Sequence, residues 1–385
     1  MAITFLICTF LVSAIMIFYH HFGYPILLRG LTGRLSARPE RTFEIQKDNA
    51  YPNVALVIPI YNEGVNIAEK IYNLSFLDYP SDKLNVHLIF DGCTDDSFAK
   101  AQNASSIAFC KNLNITFHND TENRGKLAQL NRIIPSIKAD IIGLSDVTAL
   151  LSIDSLKHCA EHFSDKTVGA VCATYRFLSS GKEQEKAYWQ YQTNIKLRES
   201  LLGSTLGAHG AFYLIRRDLF VSLPKDTIND DFVLPCEIIK QKHKVIYDKS
   251  IVSVEIEASN LKQDFARRVR ISAGNLQQSL RLIRLLDPSY GITAFMFFSC
   301  KWIRPFMPIF FILTLISSMI LTAYSSWFLV FFLGQLFLYS LVLAQQLLAF
   351  NNKLLIKLHY LITGHIISLI GAIQYLTGSY KEPWR

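Results

Sequence analysis

Val54-Ala-Leu-Val-Ile-Pro-Ile60 is an unbroken apolar run rich in β-branched side chains, and Tyr61-Asn62-Glu63 follows it directly. A strand with one wet face alternates polar and apolar residues. This run does not, so it predicts a strand buried on both sides. Asn66 to Leu74 then carries apolar residues at helical spacing. The pattern recurs downstream. Val86 to Phe90 predicts a second strand, followed by Asp91-Gly-Cys-Thr-Asp-Asp-Ser97 and a helix through Ala104. Ile115 to Phe117, a helix from Lys126 to Ile137, and Ile141 to Leu144 complete the series. Strands alternating with helices predict an α/β, Rossmann-like domain with a mostly parallel sheet, here assigned to residues 51–260.

Outward from this block the composition changes. Half of the 385 residues are hydrophobic and only 18% are charged, below the usual quarter for soluble domains. The excess lies at the two ends. Residues 1–28 are long enough to span a bilayer and predict an anchor, since no basic leader or small-residue cleavage site marks a signal peptide. Residues 305–379 predict three transmembrane helices, about Met307 to Tyr324, Trp327 to Phe350 and Leu355 to Leu376. Residues 29–50 form a basic juxtamembrane linker with Arg29, Arg34, Arg38 and Arg41, and Lys353 and Lys357 lie between the last two spans. The positive-inside rule then predicts an integral protein of the plasma (inner) membrane, with the amino terminus outside and residues 51–260 in the cytoplasm. Residues 261–304 predict an amphipathic, interfacial segment.

The net charge of +8 does not require nucleic acid, because the basic cluster Lys262, Arg267, Arg268, Arg270, Arg281 and Arg284 lies shortly before the membrane-entering region. Anionic headgroups or a diphosphate account for it. The seven cysteines lack metal-ligand spacing and read as free thiols. No glycine-rich dinucleotide or P-loop motif follows any strand, and the apolar spans hold almost no ionisable residue besides His365, which argues against a channel or transporter.

In parallel α/β sheets ligands bind beyond the carboxyl ends of the strands. Those ends carry Tyr61 and Glu63, Asp91, and Asp146-Val-Thr148. Asp91 is either a turn and cap residue or an acceptor for a base or ribose hydrogen. Asp146 either caps a helix or holds a divalent cation on a diphosphate. Arg124-Gly-Lys126 can meet phosphate or form a solvated turn. Asp230 and Asp231 mark a helix start or supply a general base, because neighbouring like charges raise one pKa. Gly207-Ala-His-Gly-Ala211 reads as a glycine-rich strand and turn, in which a lone His209 is more often structural than catalytic.

Taken in order, these motifs resemble the family 2 glycosyltransferases of GT-A fold, in the membrane-integrated branch that includes cellulose, chitin and hyaluronan synthases and bacterial exopolysaccharide enzymes. Pro59-Ile-Tyr-Asn-Glu63, Asp91-Gly-Cys-Thr-Asp95 and Arg124-Gly-Lys-Leu-Ala-Gln-Leu-Asn131 carry the resemblance, which covers about Asn53 to Ser279. It implies transfer of a hexose or N-acetylhexosamine, with inversion, from a nucleotide sugar such as a UDP-sugar to a lipid-linked or polysaccharide acceptor. Pro59, Tyr61, Glu63, Asp91, Lys126, Asp146 and Arg270 would bind the donor, and His209 and Gly210 the acceptor. Asp231, with Asp230 beside it, would act as the base. Asp146 and Thr148 would hold Mg²⁺ or Mn²⁺. Two positions depart from the family pattern: Thr148 replaces an aspartate of the metal motif, and Ile271 replaces the tryptophan that follows the arginine in processive synthases. Two rival readings follow, a processive polysaccharide synthase and a non-catalytic membrane subunit that keeps the fold.

Overall fold

A computed structural model describes residues 1–33, 51–177, 183–256, 261–350 and 352–380. The chain forms two compact units, one from residues 1–31 and 260–380 and the other mainly from residues 32–259. Most of the basic linker assigned to residues 29–50, with Arg34, Arg38 and Arg41, lies outside the described residues.

The larger unit is built on one eight-stranded sheet in the order β3-β2-β1-β4-β7-β6-β8-β5. Its strands are β1 (Val54–Ile60), β2 (Leu84–Asp91), β3 (Asn114–Asp120), β4 (Ile141–Ser145), β5 (Ala149–Leu151), β6 (Val168–Phe177), β7 (Phe212–Arg216) and β8 (Lys244–Glu255). The helices are α1 (Ile67–Ser75), α2 (Ser97–Ser105), α3 (Lys126–Ile133), α4 (Ser155–Phe163), α5 (Glu183–Leu201) and α6 (Asp230–Lys240). The first four strands run parallel, as their alternation with helices predicts. The sheet then turns mixed. β7 inserts antiparallel between β4 and β6, and β5 pairs antiparallel with β8.

Every residue of β1 is buried, which is why its sequence shows no polar alternation. Leu56, Ile58 and Ile60 pack with Ile67, Ile71 and Leu74 of α1 and with Val86, Leu88 and Phe90 of β2, each burial worth roughly 1.5–3 kcal/mol. Pro59 sits in this central strand because the ladder between β1 and β4 runs only from Val54 to Val57. Beyond that point β1 has a neighbour only at β2, so a residue without an N–H is tolerated.

The smaller unit is helical. Four helical runs, Ala2–Thr32, Ile292–Leu321, Ser326–Leu348 and Lys353–Leu376, are long and apolar enough to cross a membrane. Ile292–Leu321 includes the last part, residues 292–304, of the stretch assigned by sequence to the interface. It passes through a π-helical turn at Phe297–Trp302 before Pro305 and Pro308. The amphipathic helix α7 (Leu261–Arg281) lies against Lys353–Leu376 so closely that a Cβ on Gly371 would stand 2.6 Å from the Val269 carbonyl oxygen. The Arg268 guanidinium covers the Tyr360 ring at 4.7 Å.

Candidate active site

The loops after β1 and β2 are tied to each other. Asn62 takes a left-handed backbone (φ 55°), and its side-chain oxygen accepts from the Thr94 N–H at 2.8 Å. The N–H groups of Glu63 and Gly64 donate to Ser97 Oγ (2.8 Å) and Asp95 Oδ2 (2.9 Å). Tyr61 and Glu63 are thus held, half-buried, at the carboxyl end of the parallel strands.

Asp91 ends β2 fully buried. Its Oδ1 accepts from the Arg124 N–H (2.9 Å) and Gln129 Nε2 (2.6 Å), and its Oδ2 from the Gly125 N–H (2.7 Å). The carboxylate therefore organises the loop that precedes Lys126. Gln129 also donates to Asp120 Oδ2 at 2.7 Å, and Arg132 pairs with the same oxygen, which links the ends of β2 and β3 to α3. Gly92 completes the arrangement. Its φ is +65°, and a Cβ there would meet the Asn123 nitrogen at 2.3 Å, so only glycine fits.

Lys126 opens α3 and reaches between two carboxylates. Its Nζ donates to Asp146 Oδ1 at 3.2 Å and lies 3.6 Å from Asp230 Oδ2. Burial disfavours its charge, but Asp146, Asp230 and Asp231 outweigh that and hold its pKa above the ordinary lysine value. The cluster still carries more negative than positive charge. Asp230 Oδ2 is buried with no hydrogen bond, and Asp146 is partly open to solvent. Among the described residues no three His, Cys, Asp or Glu side chains converge as a metal cage. One open carboxylate, Asp146, with Thr148 two residues on, fits a hard cation that draws its remaining oxygens from a diphosphate.

Beneath Asp146 lies Lys70, fully buried, whose Nζ donates to Ser145 Oγ (2.8 Å) and to the Ala149 carbonyl oxygen. Burial lowers its pKa to about 7, with Asp146 and Glu255 opposing the shift. A neutral amine has two N–H donors and the site offers two acceptors. Between pH 7 and 10.5 the unfolded chain holds a proton at this residue that the folded chain largely lacks, so the lysine makes stability rise with pH in that window. Lys70→Met is expected to flatten the rise, measured as the difference in Tm between the two proteins at pH 7 and pH 10.

The other side of the site is built by β7 and α6. Ser145 pairs with Phe212, and the Ala211 carbonyl oxygen accepts from the Asp146 N–H and Ser145 Oγ, both at 3.1 Å. This joins the Gly207-to-Ala211 segment to the carboxylate loop after β4. Asp230 and Asp231 occupy the first turn of α6, where the helix dipole favours their negative charge. The Ala208 N–H donates to the Asp231 carbonyl oxygen at 2.9 Å, and a Cβ on Gly210 would lie 3.3 Å from Asp231 Oδ2. The backbone at Gly210 therefore lies against the carboxylate. His209 stacks on Tyr175 with ring centroids 3.8 Å apart, and its Nδ1 accepts from the Ala211 N–H at 3.2 Å.

Arg216, at the far end of β7, is spent on the carbonyl oxygens of Phe163, Asp165 and Val168. Arg270 belongs to α7 in the helical unit. Sequence reasoning missed Lys70, Gln129, Tyr175, Trp189 and Tyr213. Lys70 had a signal: with Ile67, Ile71 and Leu74 it falls on the buried face of α1. The Tyr213 hydroxyl is buried without a partner. Burial and then the charges of Asp230 and Asp231 raise its pKa, a placement that follows only from the pairing of β7.

Residues 55–223 match the model of the family described as glycosyl transferase family 2. The chain carries a family 2 glycosyltransferase domain. With this domain go the GT-A fold and the flanking apolar helices. Over 239 residues it is 25% identical to a beta-monoglucosyldiacylglycerol synthase from Synechocystis sp., covering 57% of this chain and 49% of that protein. Over 98 residues it is 31% identical to the cellulose synthase catalytic subunit (UDP-forming) of Pseudomonas fluorescens, covering 25% of this chain and 12% of that one. The chain thus spans at most about half the length of these curated relatives. Among solved structures, the mannosyltransferase PcManGT from Pyrobaculum calidifontis, in complex with GDP-Man and Mn²⁺, superposes with a TM-score of 0.71 at 21% identity, covering 97% of this chain and 100% of that one.

Proposed function

We propose that the protein is an inverting glycosyltransferase that moves a sugar from a nucleoside-diphosphate sugar, a UDP-sugar by the motif resemblance, to a lipid-linked or polysaccharide acceptor. The observation that carries this reading is one cluster in which Lys126 spans Asp146 and Asp230 while the Asp231 carboxylate lies against the backbone of Gly210. Asp231 takes the proton of an acceptor hydroxyl as that oxygen bonds to the anomeric carbon. The bond from that carbon to the diphosphate oxygen breaks, the nucleoside diphosphate leaves, and attack from the opposite face inverts the centre. Lys126 counters the diphosphate charge. Pro59, Tyr61 and Glu63 border the nucleotide, and Asp91 acts on it through the loop it holds. Mg²⁺ or Mn²⁺ held by Asp146, with the Thr148 hydroxyl, would supply further charge neutralisation at the leaving group.

We read the protein as integral to the plasma (inner) membrane, a reading that the four apolar helical runs support. Arg29 near the end of the first run, and Lys353 and Lys357 in the first turns of the last, support by the positive-inside rule a cytoplasmic sheet unit and an amino terminus outside. Detergent-purified protein is expected to release nucleoside diphosphate from one member of a panel of UDP- and GDP-sugars, and a chelator is expected to stop it. Turnover of no donor, with lipid extract present and no nucleotide binding by titration calorimetry, leaves the non-catalytic subunit reading in its place.

A further inference from the structure

Tyr175 on β6, Trp189 on α5 and His209 come together although they are distant in sequence. The Tyr175 and His209 rings stack with 20° between planes. Trp189 lies 4.9 Å from Tyr175 and 4.8 Å from His209, centroid to centroid. Phe177 closes one side at 4.9 Å from Tyr175. Tyr175, Phe177 and Trp189 form with Ala149 and Ala211 a small apolar cluster separate from the main core, on which the His209 ring packs. Tyr175 is buried, whereas Phe177, Trp189 and His209 keep part of their surface open.

The position of this cluster assigns it a use. Ala149 lies three residues after Asp146 and its N–H donates to the Asp146 carbonyl oxygen at 3.4 Å. Ala211 carries the carbonyl that holds Asp146. His209 immediately precedes Gly210, whose backbone lies against Asp231. The rings thus border both the carboxylate expected to meet the donor and the carboxylate expected to meet the acceptor. Aromatic faces are flat and carry the partial negative potential of the ring quadrupole, and a pyranose presents a flat face of polarised C–H groups with hydroxyls at its rim. The two surfaces complement each other, and a large ring orders few rotatable bonds on contact.

We propose that Trp189 and His209, backed by the buried Tyr175 ring, form a platform on which a sugar ring of the acceptor stacks, with Trp189 as a specificity-determining residue. The acceptor is then a glycoside and not a bare lipid alcohol. This rests on the glycosyltransferase reading above and narrows its acceptor.

The test uses the full chain in a detergent without sugar groups, with the donor selected from the panel. Dodecyl maltoside and dodecyl glucoside compete against dodecanol as acceptors, and products are read by mass spectrometry beside donor hydrolysis. The glycosides are expected to be preferred by about ten-fold or more. Trp189→Ala is expected to lower the ratio of transfer to hydrolysis with the glycosides by roughly ten-fold, and Trp189→Phe to recover most of it. Dodecanol serving equally well, or transfer and hydrolysis falling in equal proportion in Trp189→Ala, would overturn the platform. The wild-type preference decides alone should the alanine chain not fold. Donor hydrolysis without a glycoside preference sinks this inference only, whereas absence of any donor turnover sinks the function beneath it.

Discussion

Asp231→Asn is expected to lower the rate of sugar transfer by about three orders of magnitude, the scale of a lost general base. Asparagine keeps the size of the side chain at the start of α6, so the backbone contact with Gly210 and the Ala208 N–H bond to the residue 231 carbonyl have no reason to change. What is lost is the proton acceptor. The measurement is single-turnover transfer with saturating donor and acceptor, beside nucleotide affinity by titration calorimetry. A loss confined to the rate supports the base assignment. A rate within ten-fold of wild type would move the role to another group, and Asp230, 3.6 Å from Lys126, would be the first to examine.

Asp91→Ala is expected to cost about 3–5 kcal/mol of stability and to weaken nucleotide binding at the same time. The substitution strands two partly buried backbone N–H groups, of Arg124 and Gly125, and the buried side-chain amide of Gln129. Asn is no conservative replacement here, because its NH₂ would face an N–H donor whichever way it turned. Both variants should therefore lower the denaturation midpoint in the absence of nucleotide. A normal midpoint with a raised donor KM would instead mean that Asp91 touches the nucleotide itself.

The two halves of the sheet were not equally legible. β1 runs from Val54 to Ile60 as its apolar run indicates, because a strand buried on both faces leaves an unbroken signature. α1 and α2 begin and end within a residue or so of their helical spacing. β7 was less readable: its partners, β4 and β6, lie tens of residues away, and no local pattern records that it runs antiparallel between them. The site followed the same division. Tyr61, Glu63, Asp91 and Asp146 could be found as polar residues just past strand ends. The joint placement of Lys126 with Asp146 and Asp230 depends on tertiary packing, and so does the aromatic cluster. Their side chains come from separate elements, each with an ordinary local sequence. The motif resemblance singled out Asp231, which charge pattern alone left as either a helix start or a general base.

The position of β7 also bears on how such a domain can be recombined. Strands β1 to β4, with the loops proposed to hold the nucleotide, come from one contiguous stretch ending near Asp146, and β5 to β8, with Trp189, His209 and Asp231, come from the next. The two stretches meet along the β4–β7 ladder and through the Ala211 carbonyl. A single crossover near Thr148 would exchange one specificity for another, provided that the new second half brings a backbone able to accept from residue 146. On the proposed function, acceptor preference in such a domain is in this sense a cassette, fitted through one short antiparallel ladder and the contacts that Lys70 and Lys126 make with Ala149 and Asp230.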